Sequence, residues 1–238
     1  MALVVPAILA TSREDAEKKL SLFSRIPSVS RIQIDVVDGR FAEPPSWPYV
    51  RPGEREELPL LKELLPRPER IEYELDVMTL HPEEEVEDWL SLGVSRIVFH
   101  AESALHLERS IRSIEARYVG DLKTCCVISF GIALNNETPL SLIEPYLDKV
   151  HFVQCMGIPR IGRQGQPFDP RVVQRVREFR ERHPDIPVQV DGGISLETAR
   201  RLVPLGVSRL VVGSALLGTR DPRELINALE ALESPYGV

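Results

Sequence analysis

The sequence is short of cysteine, short of lysine and free of long apolar runs. Its 238 residues hold three cysteines, Cys125, Cys126 and Cys155, with no CxxC pair. That excludes a disulfide framework and a thiolate metal site, and it fits reduced thiols in a cytoplasmic protein. Such thiols read as small apolar fillers of strands. The opening MALVVPAIL is apolar but short, has no basic leader and meets charge at once. It is therefore expected to be a buried strand, neither a signal peptide nor a membrane span. No later stretch reaches membrane length. Positive charge is also in deficit. The formal net charge of −7 argues against nucleic acid or an acidic membrane as a main partner, since neither would attract the chain. A local pocket for one phosphate remains compatible with it.

What the sequence does have is alternation. Short β-branched runs occur at 4–9, 31–36, 71–77, 96–101, 127–134, 150–155, 187–192 and 209–215. Helix-like charged segments lie between them at 13–24, 55–65, 82–92, 104–117, 138–147, 169–182 and 195–204, and an eighth follows at 221–233. Strict β–α alternation over the whole length predicts a parallel sheet. Eight such units in this length predict one (β/α)8 TIM barrel spanning 1–238. A doubly wound open sheet would carry a Gly-rich fingerprint after the first strand, where Ala10-Thr11-Ser12 stands instead. LGVSRIVFH (92–100) and LGVSRLVVG (205–213) repeat a turn-then-strand pattern near half-chain spacing, as a half-barrel echo would. Thr11 or Ser12 is placed to cap the first helix, and Asp221-Pro222 the last. Residues 42–54 are too proline-rich for helix or strand and should cover the barrel mouth. A second long loop, 156–168, carries Arg160 and Arg163.

In such barrels the chemistry sits at the C-terminal ends of the strands. The polar residues there are Gln33, Asp35, Asp38, Asp76, His100, Glu102, Asn135, Asn136 and Asp191. Asp35 and Asp191 stand out, because a carboxylate inside an apolar strand is costly to bury. On strands across a barrel, two carboxylates could face opposite sides of one carbon. One would take a proton and the other return one, as two-base epimerisation requires. Asp191 could instead serve only as an acceptor in its Gly-Gly turn. Gly192-Gly193 after the seventh strand and Gly213-Ser214 after the eighth lie where barrels often bind a phosphate, with backbone N–H groups open to an anion. The five lysines, Lys18, Lys19, Lys62, Lys123 and Lys149, lie in helices or before strands. Schiff-base chemistry, which needs a lysine inside the mouth, is therefore not expected.

Several motifs in order resemble the ribulose-phosphate 3-epimerase family. They are PAIL (6–9), QIDVVDG (33–39), HAES (100–103), ALNNETPL (133–140), VDGGI (190–194) and GSA (213–215). The resemblance runs to about residue 226. It implies an isomerase of ketose 5-phosphates, with Asp35 and Asp191 as acid and base and as ligands of a divalent metal. It implies phosphate binding at Gly192, Gly193, Gly213, Ser214 and Gly165, the last within IGRQGQ (161–166). A homo-oligomer is implied too, without an interface signal to place it. The family's two metal-binding histidines are replaced by Gln33 and Asp76, its early serine by Ala7, and two pocket methionines by Val37 and Cys155. Asp35, Asp191 and Asp76 would then either hold a harder ion, manganese or magnesium in place of zinc or iron, or hold none, with Arg160 or Arg163 supplying positive charge. Another isomerase or lyase on the same barrel, or a phosphosugar-binding protein without turnover, stays open as an alternative. The stretch from Asp76 to His81 lacks the lysine of the Asp-x-Lys-x-x-Asp pattern of related decarboxylases.

Overall fold

The computed structural model describes residues 2–56, 65–103, 107–112 and 128–232. Its strands are β1 (Leu3–Leu9), β2 (Arg31–Val37), β3 (Tyr49–Arg51), β4 (Glu54–Arg55), β5 (Glu72–Met78), β6 (Val94–His100), β7 (Ser129–Leu134), β8 (Phe152–Met156), β9 (Val188–Asp191) and β10 (Arg209–Val212). Eight of them close a parallel barrel in the order β1-β10-β9-β8-β7-β6-β5-β2. All eight expected strands are present. Lys62, Lys123, Cys125, Cys126 and most of the expected 55–65 helix fall outside the described residues.

Strand alternation separates two interiors. Ile32, Ile34 and Val36 of β2 join the large cluster that also contains Leu20 and Phe23 from the helix Arg13–Ser24 and Val172, Val176 and Phe179 from the helix Arg171–Arg182. Their neighbours Gln33, Asp35 and Val37 take the opposite face, inside the barrel. Gly131 of β7 belongs to that inner face because Phe152 fills the space beside it. A Cβ there would stand 2.5 Å from the ring.

The caps follow the chemistry expected of them. Ser12 Oγ accepts from Asp15 N, and Asp221 accepts from Arg223 N at the start of the helix Pro222–Glu230. The repeated Leu-Gly-Val-Ser-Arg segments turn on Gly93 (φ +99°) and Gly206 (φ +81°), a left-handed helix exit that suits glycine. Two segments differ from expectation. Residues 138–147 form 3₁₀ turns at Leu140–Leu142 and Glu144–Tyr146 in place of an α-helix, because Pro145 sits within the run and cannot donate. Residues 42–54 are not wholly irregular: β3 and β4 pair antiparallel around Gly53 (φ +73°).

Candidate active site

The strand ends of β2, β5 and β9 bring Asp35, Asp76 and Asp191 together inside the mouth. Each is buried, and one oxygen from each lies within 4.8 Å of the others. Amides hold them. Gln33 Nε2 donates to Asp35 Oδ1 at 2.8 Å and to Asp191 Oδ2 at 2.9 Å. Gln154 Nε2 donates to Asp76 Oδ2 at 2.8 Å and to Asp191 Oδ2 at 3.4 Å. His100 Nε2 stands 2.8 Å from Asp76 Oδ1.

Burial with close like charge sets the proton affinities. Asp35 is pushed well above the usual carboxylate range by burial, then by Asp191 and Asp76. Asp191 is raised to about 8 by burial, then by Asp76. For His100, burial opposes the charged form, but Asp76 and Glu102 outweigh it and lift the imidazole to about 10. The carboxylates thus favour the charged imidazole, which is set against the wall of their cluster. Glu102 is held at about 2: burial opposes ionisation, while His100, the Asn135 N–H and the Thr138 hydroxyl overcome it.

Beside the carboxylates opens a cleft whose lining includes Asp35, Asp191, Gly165, Gly193, Gly213 and Ser214. Gly192 and Gly193 both have positive φ, at +96° and +67°. A Cβ on Gly193 would lie 2.7 Å from Phe168 Cα, so only glycine lets this backbone face the cleft. Gly213 leaves room for Gln164, whose Nε2 donates to Ala7 O at 3.3 Å. The loop 156–168 is fastened across the mouth. Arg163 Nε donates to Glu43 O at 3.0 Å, and Gly162 lies against Ala42.

The sequence-derived candidates divide cleanly. Asp35, Asp191, Gly192, Gly193, Gly165, Gly213 and Ser214 all line the cleft, and Arg163 joins them. Asp76 lies behind, bonded to His100 and Gln154. Arg160 is exposed and outside the lining. Asp38 is committed to its own loop, accepting from Arg40 N, Phe41 N and Leu80 N. Asn135, Asn136 and Glu102 also stay out of the lining. Cys155 does not replace a pocket methionine. It faces the helices, its thiol raised to about 12 by burial, and Met156 and Met78 line the cleft. The one-residue difference in register turns the side chain to the other face.

Below the carboxylates runs a polar chain that sequence reasoning missed. Gln189 Nε2 donates to Gln154 Oε1 at 2.6 Å and to Glu74 Oε1 at 2.8 Å. Glu74 Oε2 accepts from Arg96 Nε at 2.6 Å. Each of these residues sits at an inward position of its strand, as Asp35 does.

A family model for "Ribulose-phosphate 3 epimerase family" matches residues 3–217. The chain belongs to this family. It is 30% identical over 214 residues to the chloroplastic ribulose-5-phosphate-3-epimerase of Arabidopsis thaliana, covering 87% of this chain and 69% of that one. It is 27% identical over 229 residues to the ribulose-phosphate 3-epimerase of Schizosaccharomyces pombe, covering 95% and 91%. Among solved structures, a 3-hexulose-6-phosphate synthase superposes with TM-score 0.65 at 17% identity, covering 96% of this chain and 98% of that one. KGPDC from Streptococcus mutans gives 0.67 at 11%, covering 96% and 95%. At those identities the likeness concerns the fold alone.

The carboxylate cluster suits a divalent cation. Three carboxylates are buried together with only the His100 imidazole, against Asp76, to offset their charge, and among the described residues Gln33 Oε1 is buried with no hydrogen-bond partner. All four side chains offer oxygen, the donor that hard ions take.

Proposed function

We propose that the protein epimerises a ketose 5-phosphate at carbon 3, interconverting ribulose 5-phosphate and its carbon-3 epimer through an enediolate. The observation that carries this reading is the pair Asp35 and Asp191, two buried carboxylates that share one amide donor and line a glycine-rich cleft. In the ion-free site burial and mutual repulsion raise both proton affinities, which favours one proton held between the two carboxyls. One member is then a base and the other an acid, the state that two-base epimerisation needs. The base removes the carbon-3 proton. The acid delivers its own proton to the opposite face, and the two carboxyls have exchanged roles when product leaves.

The remaining residues position the substrate. Backbone at Gly192, Gly193 and Gly213 and the Ser214 side chain would take the phosphate, with Gly165 in the loop above. Arg163 fastens that loop and helps exclude water from the cleft. His100 and Gln154 hold Asp76, and Gln33 keeps the acid and the base at a common distance. Asp35, Asp76, Asp191 and the Gln33 carbonyl would hold a divalent ion, and manganese or magnesium suits this oxygen set better than zinc or iron. Such an ion, when bound, supplies positive charge that offsets the enediolate. The free, buried Cys155 fits a cytoplasmic setting.

The test is conversion of ribulose 5-phosphate, after chelator treatment and re-addition of single ions. Activity restored by manganese or magnesium more than by zinc is the expected result. No conversion with any ion would leave a phosphosugar-binding protein without turnover.

A further inference from the structure

At the opposite end of the barrel from the cleft, three arginines converge. Arg31 and Arg209 open β2 and β10, and Arg96 lies near the start of β6. Arg96 and Arg209 both lie over the Phe152 ring, with guanidinium carbons 4.2 Å and 5.6 Å from its centroid. Their partners do not satisfy them. Arg31 bonds Glu72, with Nε at 3.0 Å, and Arg96 bonds Glu74. Among the described residues Arg209 has no carboxylate partner. Among the described residues each of the three keeps one buried nitrogen without an acceptor: Arg31 Nη1, Arg96 Nη2 and Arg209 Nη1. The Arg96 side chain is only 7% exposed.

Buried N–H donors in a folded protein almost always find an acceptor. Water could accept from them, but it would leave the charge uncompensated. Three guanidiniums here face two carboxylates, one of which, Glu72, is largely in solvent. The strain is visible in Arg209, which burial, then Arg96 and Arg31, pull down to about 10. An anion would answer both deficits at once. A guanidinium presents planar N–H forks that match an oxyanion. Arg31 and Arg209 each keep part of their surface in solvent, while the three unpartnered nitrogens lie beneath it.

We propose that the base of the barrel binds a small oxyanion, of the carboxylate or phosphate kind, through the unpartnered guanidinium nitrogens of Arg31, Arg96 and Arg209. The site is separate from the phosphate end of the cleft and independent of the reaction assigned above.

Sulfate is the probe, and S214D is the background, since an aspartate at the cleft keeps anions from that end. Melting is followed in sodium sulfate against sodium fluoride at matched ionic strength. In S214D, saturating sulfate should raise Tm by about 5 °C. Adding Arg209→Met should abolish the rise. In fluoride alone the double variant should melt no lower than S214D, because one of three mutually repelling cations is gone. Arg209→Gln repeats the measurement should the methionine variant fold poorly. Acetate in place of sulfate tells a carboxylate site from a dianion site by which gives the larger shift. No sulfate shift in S214D would overturn the proposal. So would a shift that survives loss of Arg209, or methionine and glutamine variants that both melt lower in fluoride, which would mean that the protein itself satisfies Arg209.

Discussion

Gln33 illustrates how much one side chain decides here. Its Nε2 touches the two carboxylates assigned to proton transfer, and its Oε1 has no partner. Asp35 and Asp191 were legible in the sequence because a charge inside an apolar strand is rare enough to demand a reason, and Gln33 and Asp76 because they stand where the family has histidines. Gln154 and Gln189 were not. An amide within a strand is ordinary, and its meaning lies in partners far along the chain, as between Gln189 and Glu74, 115 residues apart. Glu102 gives a pH prediction at the same scale. Its folded pKa of about 2 lies below that of an unfolded glutamate, near 4.3. Its contribution to stability is therefore complete above the unfolded value and lost as pH falls toward 2. Glu102→Gln should lower Tm at pH 7 and leave the difference from the parent shrinking between about pH 4.5 and 2. A constant difference across that range in a Tm–pH series would refute the assignment.

At the scale of elements, the two loops of the mouth act as one cover. Ile161 packs with Val37, Ala42 and Met78, Gly162 lies against Ala42, and Arg163 reaches Glu43. The sequence marked both loops as long and placed them at the mouth, but it could not show that they fasten to each other. Gly162 has φ +84°, and its absent Cβ would stand 3.0 Å from that of Ala42. Gly162→Val should strain the backbone by about 1–3 kcal/mol and loosen the cover. We expect KM to rise by about tenfold, with the melting temperature falling by about 2–10 °C, as that strain requires. Steady-state kinetics beside a melting curve would check it. A large fall in Tm with KM unchanged would place Gly162 in the fold and not in the cover. The expected helix at 138–147 failed for a local reason, a proline within the run. The expected irregular stretch at 42–54 gained a hairpin for another, the left-handed Gly53 between Arg51 and Glu54.

Over the whole molecule, the barrel axis carries a gradient of chemistry. Arginines occupy the base, the Glu74–Gln189–Gln154 chain the middle, and carboxylates the mouth. Apolar side chains such as Val5, Val98, Phe152 and Val211 fill the space between. The closed barrel was readable from alternation alone, because a parallel sheet buried on both sides leaves long apolar strand runs. The polar axis was not, since it exists only when the strands are brought round into a ring. Its functional end rests on one claim, that Asp35 and Asp191 address opposite faces of the same carbon. The direct measurement follows carbon 3 by proton NMR in deuterated water with ribulose 5-phosphate. For the unmodified protein, early product should carry deuterium at carbon 3 while remaining substrate carries none. Asp191→Asn and Asp35→Asn should each slow inversion by about 10³-fold, and one of the two should still exchange deuterium into a single epimer without inverting it. Inversion at near the parent rate in either variant would contradict the account.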